Sequence, residues 1–275
     1  MSEYNFQTLK ITLPTQFVIH VELNRPQKLN AFNQTLWKEL GECFARIGAD
    51  SAIRAVVISG AGKLFTAGID FAYLEGVVKV NEEDIARKMV HVRRWLKLCQ
   101  DSISIIETCD KPVIAAIHNG CIGAGINLVT ACDIRYCSQD AYFSVKEVDI
   151  GLAADVGVLQ RLPKIVGNDS LVRELCLTGR NCFAAEAFNF GLVNKVLQTK
   201  EEALAEAIKT AEIIASKSPV ATLGTKHLLN YSRDHSVREA LEYTLAWNGA
   251  MLNSEDVIKA YSAAKKKVKP TFSKL

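Results

Sequence analysis

Apolar and polar positions alternate over residues 8–13 and 17–23, and both runs contain β-branched residues. That is the period of a half-buried strand, so the pattern predicts two strands around a turn at Pro14-Thr15. A second turn follows at Asn24-Arg25-Pro26. Leu36, Leu40, Cys43, Phe44 and Ile47 then recur at helical spacing behind Asn33, which predicts an amphipathic helix with Asn33 as its N-cap. The apolar run 55–59 reads as a short buried strand, 60–68 as a glycine-containing loop, and Asp70 as the start of a short helix. A long helix with a charged face (Arg87, Lys88, Arg93, Arg94, Lys97) is predicted over 82–109, where Asp110-Lys111-Pro112 ends it. Strands are predicted at 113–117, 134–137, 141–145 and 192–197, and helices at 126–132, 156–165, 170–177 and 184–190. From about Glu201 only helical patterns follow, over 201–216, 219–231, 236–248 and 255–267. The chain therefore reads as an α/β core over 1–198 with an appended helical segment over 199–275.

Composition narrows the function classes. The chain has 275 residues, 49% hydrophobic and 23% charged, which excludes a disordered polymer and permits a sizeable core. Lys and Arg exceed Asp and Glu by only 33 to 30, too little to indicate a nucleic-acid partner. No apolar run is long enough for a membrane span, and the first ten residues carry neither a secretory apolar region nor an Arg-rich transit pattern. The eight cysteines form no C-x-x-C pair and read as buried free thiols in a reducing compartment. The five histidines lack metal-ligand spacing, so no metal is expected. The chain closes on Ser273-Lys274-Leu275 after Pro270. This tripeptide has the form of a peroxisomal address read by an import receptor, and such a tail is expected to be exposed.

Three segments could carry chemistry. Residues 63–70 (KLFTAGID) form a small-residue turn whose backbone N–H groups are free to face a ligand. Residues 120–125 (GCIGAG) run directly into an apolar helix, whose start offers unpaired N–H groups and a positive dipole end. Placed side by side, two such donors make an oxyanion hole. Taken alone, Gly-Ala-Gly is equally a device for close helix packing, and neither segment is a P-loop or a dinucleotide fingerprint. The third segment, 143–157, carries Glu147, Asp149 and Asp155. Asp155 sits among Gly, Leu, Ala and Val, and burial there would let it hold a proton at neutral pH. Asp149 reads as an exposed loop carboxylate.

Together these segments resemble the crotonase (enoyl-CoA hydratase/isomerase) superfamily over nearly the whole chain. The likeness is carried by LNRPQKLNA at 23–31, by 65–70, by 111–133 and by the run KEVDIGLAAD at 146–155 followed by LQRLP at 159–163. That last run is similar to the Δ3,5-Δ2,4-dienoyl-CoA isomerases. The resemblance implies a spiral of ββα units with a C-terminal helical trimerisation segment, assembled as a homo-trimer or a dimer of trimers. It implies an acyl-CoA thioester as substrate, with CoA belonging to the substrate and no separate cofactor. The thioester carbonyl would be polarised by the backbone N–H groups of Ile69 and Ala124, within a binding segment of Ala67, Gly68, Ile69, Asp70 and Phe71 together with Ala124 and Gly125. Glu147 would act as base at C2 and a protonated Asp155 as donor at C6. A matrix location in the peroxisome fits the terminal tripeptide.

One position departs from the pattern. The dienoyl isomerases usually carry Asp where this chain has Asn127; Asn moves no proton but can hydrogen-bond a neighbouring carboxylate, so Asn127 is assigned a supporting role. Hydratases carry Glu at 127 and Gly at 155, which sets this chain apart from them. A Δ3-Δ2-enoyl-CoA isomerase, needing Glu147 but not Asp155, and a non-catalytic acyl-CoA-binding subunit are the alternatives. Candidates for the CoA phosphates are Lys63, Arg25, Lys28 and the run Lys265, Lys266, Lys267 and Lys269, whose other reading is a solvated helix end.

Overall fold

Strands β1 (Leu9–Thr15) and β2 (Val18–Leu23) pair antiparallel, with Leu9 opposite Leu23. The computed structural model describes residues 4–79 and 84–275. Helix α1 (Gln34–Ala49) is capped by Asn33, whose side chain accepts from the Leu36 N–H, and it buries the predicted face with Trp37 added. β3 (Ala55–Gly60) is buried throughout and runs parallel to β2. Asp70 caps α2 (Phe71–Val78). The long helix α3 (Ile85–Thr108) begins at Asp84, its N-cap; the predicted start at Glu82 lies outside the described residues.

The spiral follows. β4 (Val113–Ile117) joins the main sheet, then β5 (Gly120–Ile122) turns away and leads into α4 (Ala124–Ala131). The pattern repeats with β6 (Ile134–Ser138) and β7 (Tyr142–Ser144), a 3-10 turn at Lys146–Ile150, and the helices α5 (Val158–Ile165) and α6 (Asp169–Thr178). β8 (Cys182–Phe183), α7 (Ala184–Asn189) and β9 (Lys195–Leu197) complete it. The main sheet has the order β1-β2-β3-β4-β6-β9 and the smaller one β5-β7-β8. β5 stacks in parallel on β7, Gly120 beside Tyr142. β5 is a strand where the sequence pattern predicts only a loop. Three residues are too few to show a period, and its ladder partner is supplied by the next turn of the spiral.

β3 and β4 read as unbroken apolar runs because both faces of the sheet are covered. Val56, Ile58, Ala115 and Ile117 face the core shared with α1, α3 and α4. Val57, Ile114 and Ala116 face Ala207, Ala211 and Ala215 of α8 (Lys200–Ala215). An alanine every fourth residue lets α8 approach the sheet closely. So α8, which the sequence reading groups with the helices beyond 198, packs on the core. α9 (Pro219–Ser232), α10 (Val237–Met251) and α11 (Glu255–Lys266) follow. Ser273, Lys274 and Leu275 are exposed, but Arg54 donates to the carbonyls of Phe272 (2.7 Å) and Ser273 (3.1 Å) and straps the tail to the body. All eight cysteines are buried and unpaired. Among the described residues no helix is long and apolar enough to cross a membrane.

Candidate active site

Two backbone N–H groups are left without acceptors by the way their neighbours are used. Phe32 bridges the segment around Ile69: its N–H donates to the Gly68 carbonyl (2.7 Å), and its carbonyl accepts from the Asp70 N–H (3.0 Å). This spends the peptide groups on either side of Ile69, whose own N–H has no acceptor among the described residues. Gly123 N–H donates to Ser144 O (2.9 Å) and Gly123 O accepts from Ile126 N–H (2.8 Å). The N–H of Ala124, the first residue of α4, is likewise unpaired among the described residues. The two sites adjoin. A Cβ on Gly68 would lie 3.0 Å from the Ile122 carbonyl and 3.7 Å from the Ala124 nitrogen, at φ +89°. Glycine permits both the close approach and the backbone angle.

Glu147 faces the same space from the 3-10 turn after β7: a Cβ on Gly123 would sit 3.8 Å from its Oε1 and 3.9 Å from the Gly68 Cα. A cavity of about 240 Å³ joins these groups, lined by Ala67, Gly68, Ile69, Phe71 and Ala124 on one side and by Asn127, Glu147 and Asp155 on the other. Asn127 is buried on α4. Its Oδ1 accepts from the Val158 N–H (2.7 Å), which commits its Nδ2 to Glu147 Oε1 (3.2 Å) and Gly123 O (3.2 Å). Glu147 Oε2 is buried with no partner among the described residues. Burial pushes the Glu147 carboxyl above the ordinary glutamate value, and the nearby Asp155 charge adds to this against the Asn127 bond. Burial also raises Asp155. Two carboxyls and a pair of amide donors thus share one largely apolar chamber, an arrangement able to move a proton between two carbons while holding charge on an oxygen.

Two predicted binding residues take other roles. Asp70 does not line the cavity; its carboxylate caps α2 and pairs with Arg25 at 3.2 Å. Gly125 does not line it either. A Cβ there would lie 2.5 Å from Thr66 Cγ2 and 3.1 Å from Cys121 Sγ, so the glycine serves close packing, the other reading of Gly-Ala-Gly. Arg25, a phosphate candidate, is held by Asp70 and by the Ala31 carbonyl. Lys28, Lys63, Lys265, Lys266, Lys267 and Lys269 are exposed and stand outside the cavity. Asp149 is exposed and paired with Lys146 at 2.9 Å, at the cavity wall. Among the described residues no group of three or more His, Cys, Asp or Glu is placed to hold a metal.

The sequence pattern did not point to Trp37, Leu74, Trp95 and Cys99 as cavity walls, since each looks like ordinary helix core. It also gave no role to Asn30. Asn30 is buried, at φ +56°, and its Nδ2 donates to the carbonyls of Ala61, Leu64 and Phe65 (2.7, 3.0 and 3.2 Å) while its own carbonyl accepts from Thr66 Oγ1 (2.8 Å). It ties the 23–31 segment to the loop that presents Ile69. The available signal was a polar residue in a turn between apolar runs.

The enoyl-CoA hydratase/isomerase family model matches residues 15–274. The mitochondrial Δ3,5-Δ2,4-dienoyl-CoA isomerase of Rattus norvegicus is 51% identical, covering 100% of this chain and 85% of that protein. The peroxisomal Δ3,5-Δ2,4-dienoyl-CoA isomerase of Arabidopsis thaliana is 43% identical over the full length of both. Among solved structures, an enoyl-CoA hydratase from Bacillus anthracis superposes with a TM-score of 0.87 at 29% identity, covering 97% of this chain and 99% of that one.

Proposed function

The chain belongs to the enoyl-CoA hydratase/isomerase family, and we propose that within it the protein is an isomerase converting 3,5-dienoyl-CoA to 2,4-dienoyl-CoA. The observation that carries this reading is that Glu147 and Asp155 line one cavity with the unpaired N–H groups of Ile69 and Ala124. The thioester oxygen accepts from those two N–H groups. Glu147 takes a proton from C2, which the thioester acidifies. The electron pair moves through the diene and toward the thioester oxygen, where the two donors and the N-terminal end of α4 favour the charge. Asp155 gives its proton to C6, and the double bonds shift from the 3,5 to the 2,4 positions. CoA is part of the substrate and no cofactor enters.

The assay is ultraviolet absorbance of 3,5-dienoyl-CoA incubated with purified protein, where gain of the conjugated 2,4-diene supports the reading. Activity confined to 3-enoyl-CoA would replace it with single-bond isomerisation, and binding without turnover with an inert acyl-CoA carrier. Glu147→Gln and Asp155→Asn are each expected to lower kcat by about 10²–10⁴, the usual worth of a general acid or base; near-normal turnover in either removes that residue from the mechanism.

Two further parts of the proposal rest on surface features. Leu241, Leu245, Leu252 and Ile258 expose 64, 77, 67 and 72% of their surface on and between α10 and α11, an apolar area that fits burial in a homo-trimer or hexamer; light scattering decides. Ser273-Lys274-Leu275 and the peroxisomal plant relative support a peroxisomal matrix location through the import receptor, whereas the rat relative is named mitochondrial. Imaging the chain with and without these three residues separates the two.

A further inference from the structure

A proton shuttle must be reset. After each turnover Glu147 holds the proton taken from C2 and Asp155 lacks the one given to C6, so Glu147 must lose a proton and Asp155 must gain one. The two residues border different spaces. Glu147 is reached from the catalytic cavity, at whose wall the partly exposed Lys146 and Asp149 stand. Asp155 and Val156 belong in addition to the wall of a second cavity of about 390 Å³, which Glu147 does not touch.

This second cavity is polar where the first is apolar. Gln100, Ser104 and Gln160 contribute neutral hydrogen-bonding groups, and its charged groups are tied to its wall. Arg161 donates to Glu107 from Nε (3.0 Å) and a terminal nitrogen (2.9 Å), and to Ser104 Oγ (3.0 Å). Arg233 holds the other Glu107 oxygen. Gln100 Nε2 donates to the Asp155 carbonyl (2.8 Å), which fixes the main chain of Asp155 at the partition between the two spaces. Gln100, Ser104 and Glu107 recur at helical spacing along one side of α3. A chamber of this size and polarity has room for several waters.

We propose that Asp155 recovers its proton from water in this second cavity, so that the hydrogen delivered to C6 comes from solvent and not from C2. In the reset an O–H bond on the cavity side breaks as the Asp155 O–H forms. Glu147 releases its proton to water on the other side, and the hydroxide and hydronium so produced neutralise each other. This rests on the isomerase reading above.

The test is turnover of unlabelled 3,5-dienoyl-CoA by the intact protein in D2O, with the product analysed by mass spectrometry and NMR at early conversion. The expected result is one deuterium at C6 per product molecule. Ordinary hydrogen at C6 overturns the inference while leaving the isomerase reading intact; absence of any turnover in H2O sinks that reading itself. The route is tested by Gln160→Trp, a substitution at an exposed position of α5 that puts a larger, apolar side chain into the second cavity. It is expected to lower kcat by about fivefold or more, short of the roughly 10²–10⁴ worth of the acid itself, with KM unchanged and a larger solvent isotope effect on kcat. Unchanged kcat, or a loss of kcat without a larger isotope effect, refutes the route.

Discussion

Replacing Asn127 by alanine separates a supporting side chain from a proton-moving one. The buried amide holds three partners: the Val158 N–H, the Gly123 carbonyl and Glu147 Oε1. Val158 opens α5, and Gly157 before it has no side chain to cap the helix, so Asn127 provides that cap from another element. Alanine leaves a buried N–H and a carboxylate oxygen without their partner. The expected cost is about 1–3 kcal/mol, the penalty for an unsatisfied buried polar group, read from urea unfolding. The catalytic effect has a sign. The Asn127 bond favours the ionised form of Glu147 against the upward push of burial, so its loss raises the Glu147 pKa further and moves the acid limb of the kcat/KM profile to higher pH. Above that limb kcat is expected to fall by less than about tenfold, against the 10²–10⁴ expected of Glu147→Gln. Asn127→Asp keeps an acceptor for Val158 and restores much of the stability, but it puts a second carboxyl beside Glu147 and shifts the limb further the same way. An acid limb that stays or moves down in Asn127→Ala, or a loss of kcat equal to that of Glu147→Gln, refutes this reasoning.

Gly68→Ala adds a Cβ 3.0 Å from the Ile122 carbonyl at φ +89°. It is expected to push the Ile69 and Ala124 donors apart and lower kcat by about 10²–10³, the cost of an oxyanion donor, with little change in KM by steady-state kinetics. The kcat/KM profile of the unmodified protein should be a narrow bell. Its acid limb, Glu147 gaining a proton, lies above the ordinary glutamate value, and its alkaline limb, Asp155 losing one, above the ordinary aspartate value; a profile flat across both regions contradicts the assignment. Burial pushes the Glu107 carboxyl up, but the bonds and charges of Arg161 and Arg233 outweigh it and hold it below the ordinary value. The stability this contributes is present above the unfolded pKa and is lost as pH falls through the folded one. Unfolding titrations should therefore show an acid loss that Glu107→Gln lacks.

Elements with enough residues to show a period were readable from the chain alone. The helical repeat behind Asn33, the unbroken apolar runs of β3 and β4, and the breaks at Asp110-Lys111-Pro112 all reflect local rules, in which each residue answers to neighbours a few positions away. Asp155 was also readable as a candidate, since an acid among small apolar residues is unusual, whereas Glu147 was picked out by the family resemblance. What the local pattern left open was what each side chain meets. Asp70 looked like a ligand residue and pairs with Arg25, across 45 positions; Gly125 looked like a cradle and is packed on Thr66. Asn127 lies 31 positions from the helix it caps, and the wall between the two cavities brings Gln100 of α3 to Asp155, 55 positions on. These meetings arise because β5 and β7 stack in successive turns of the spiral and lay α3, α4 and α5 against one another. Local sequence sets the turns and periods. The partners of Glu147 and Asp155, and with them the burial that raises both carboxyls, exist only once the layers close and exclude water.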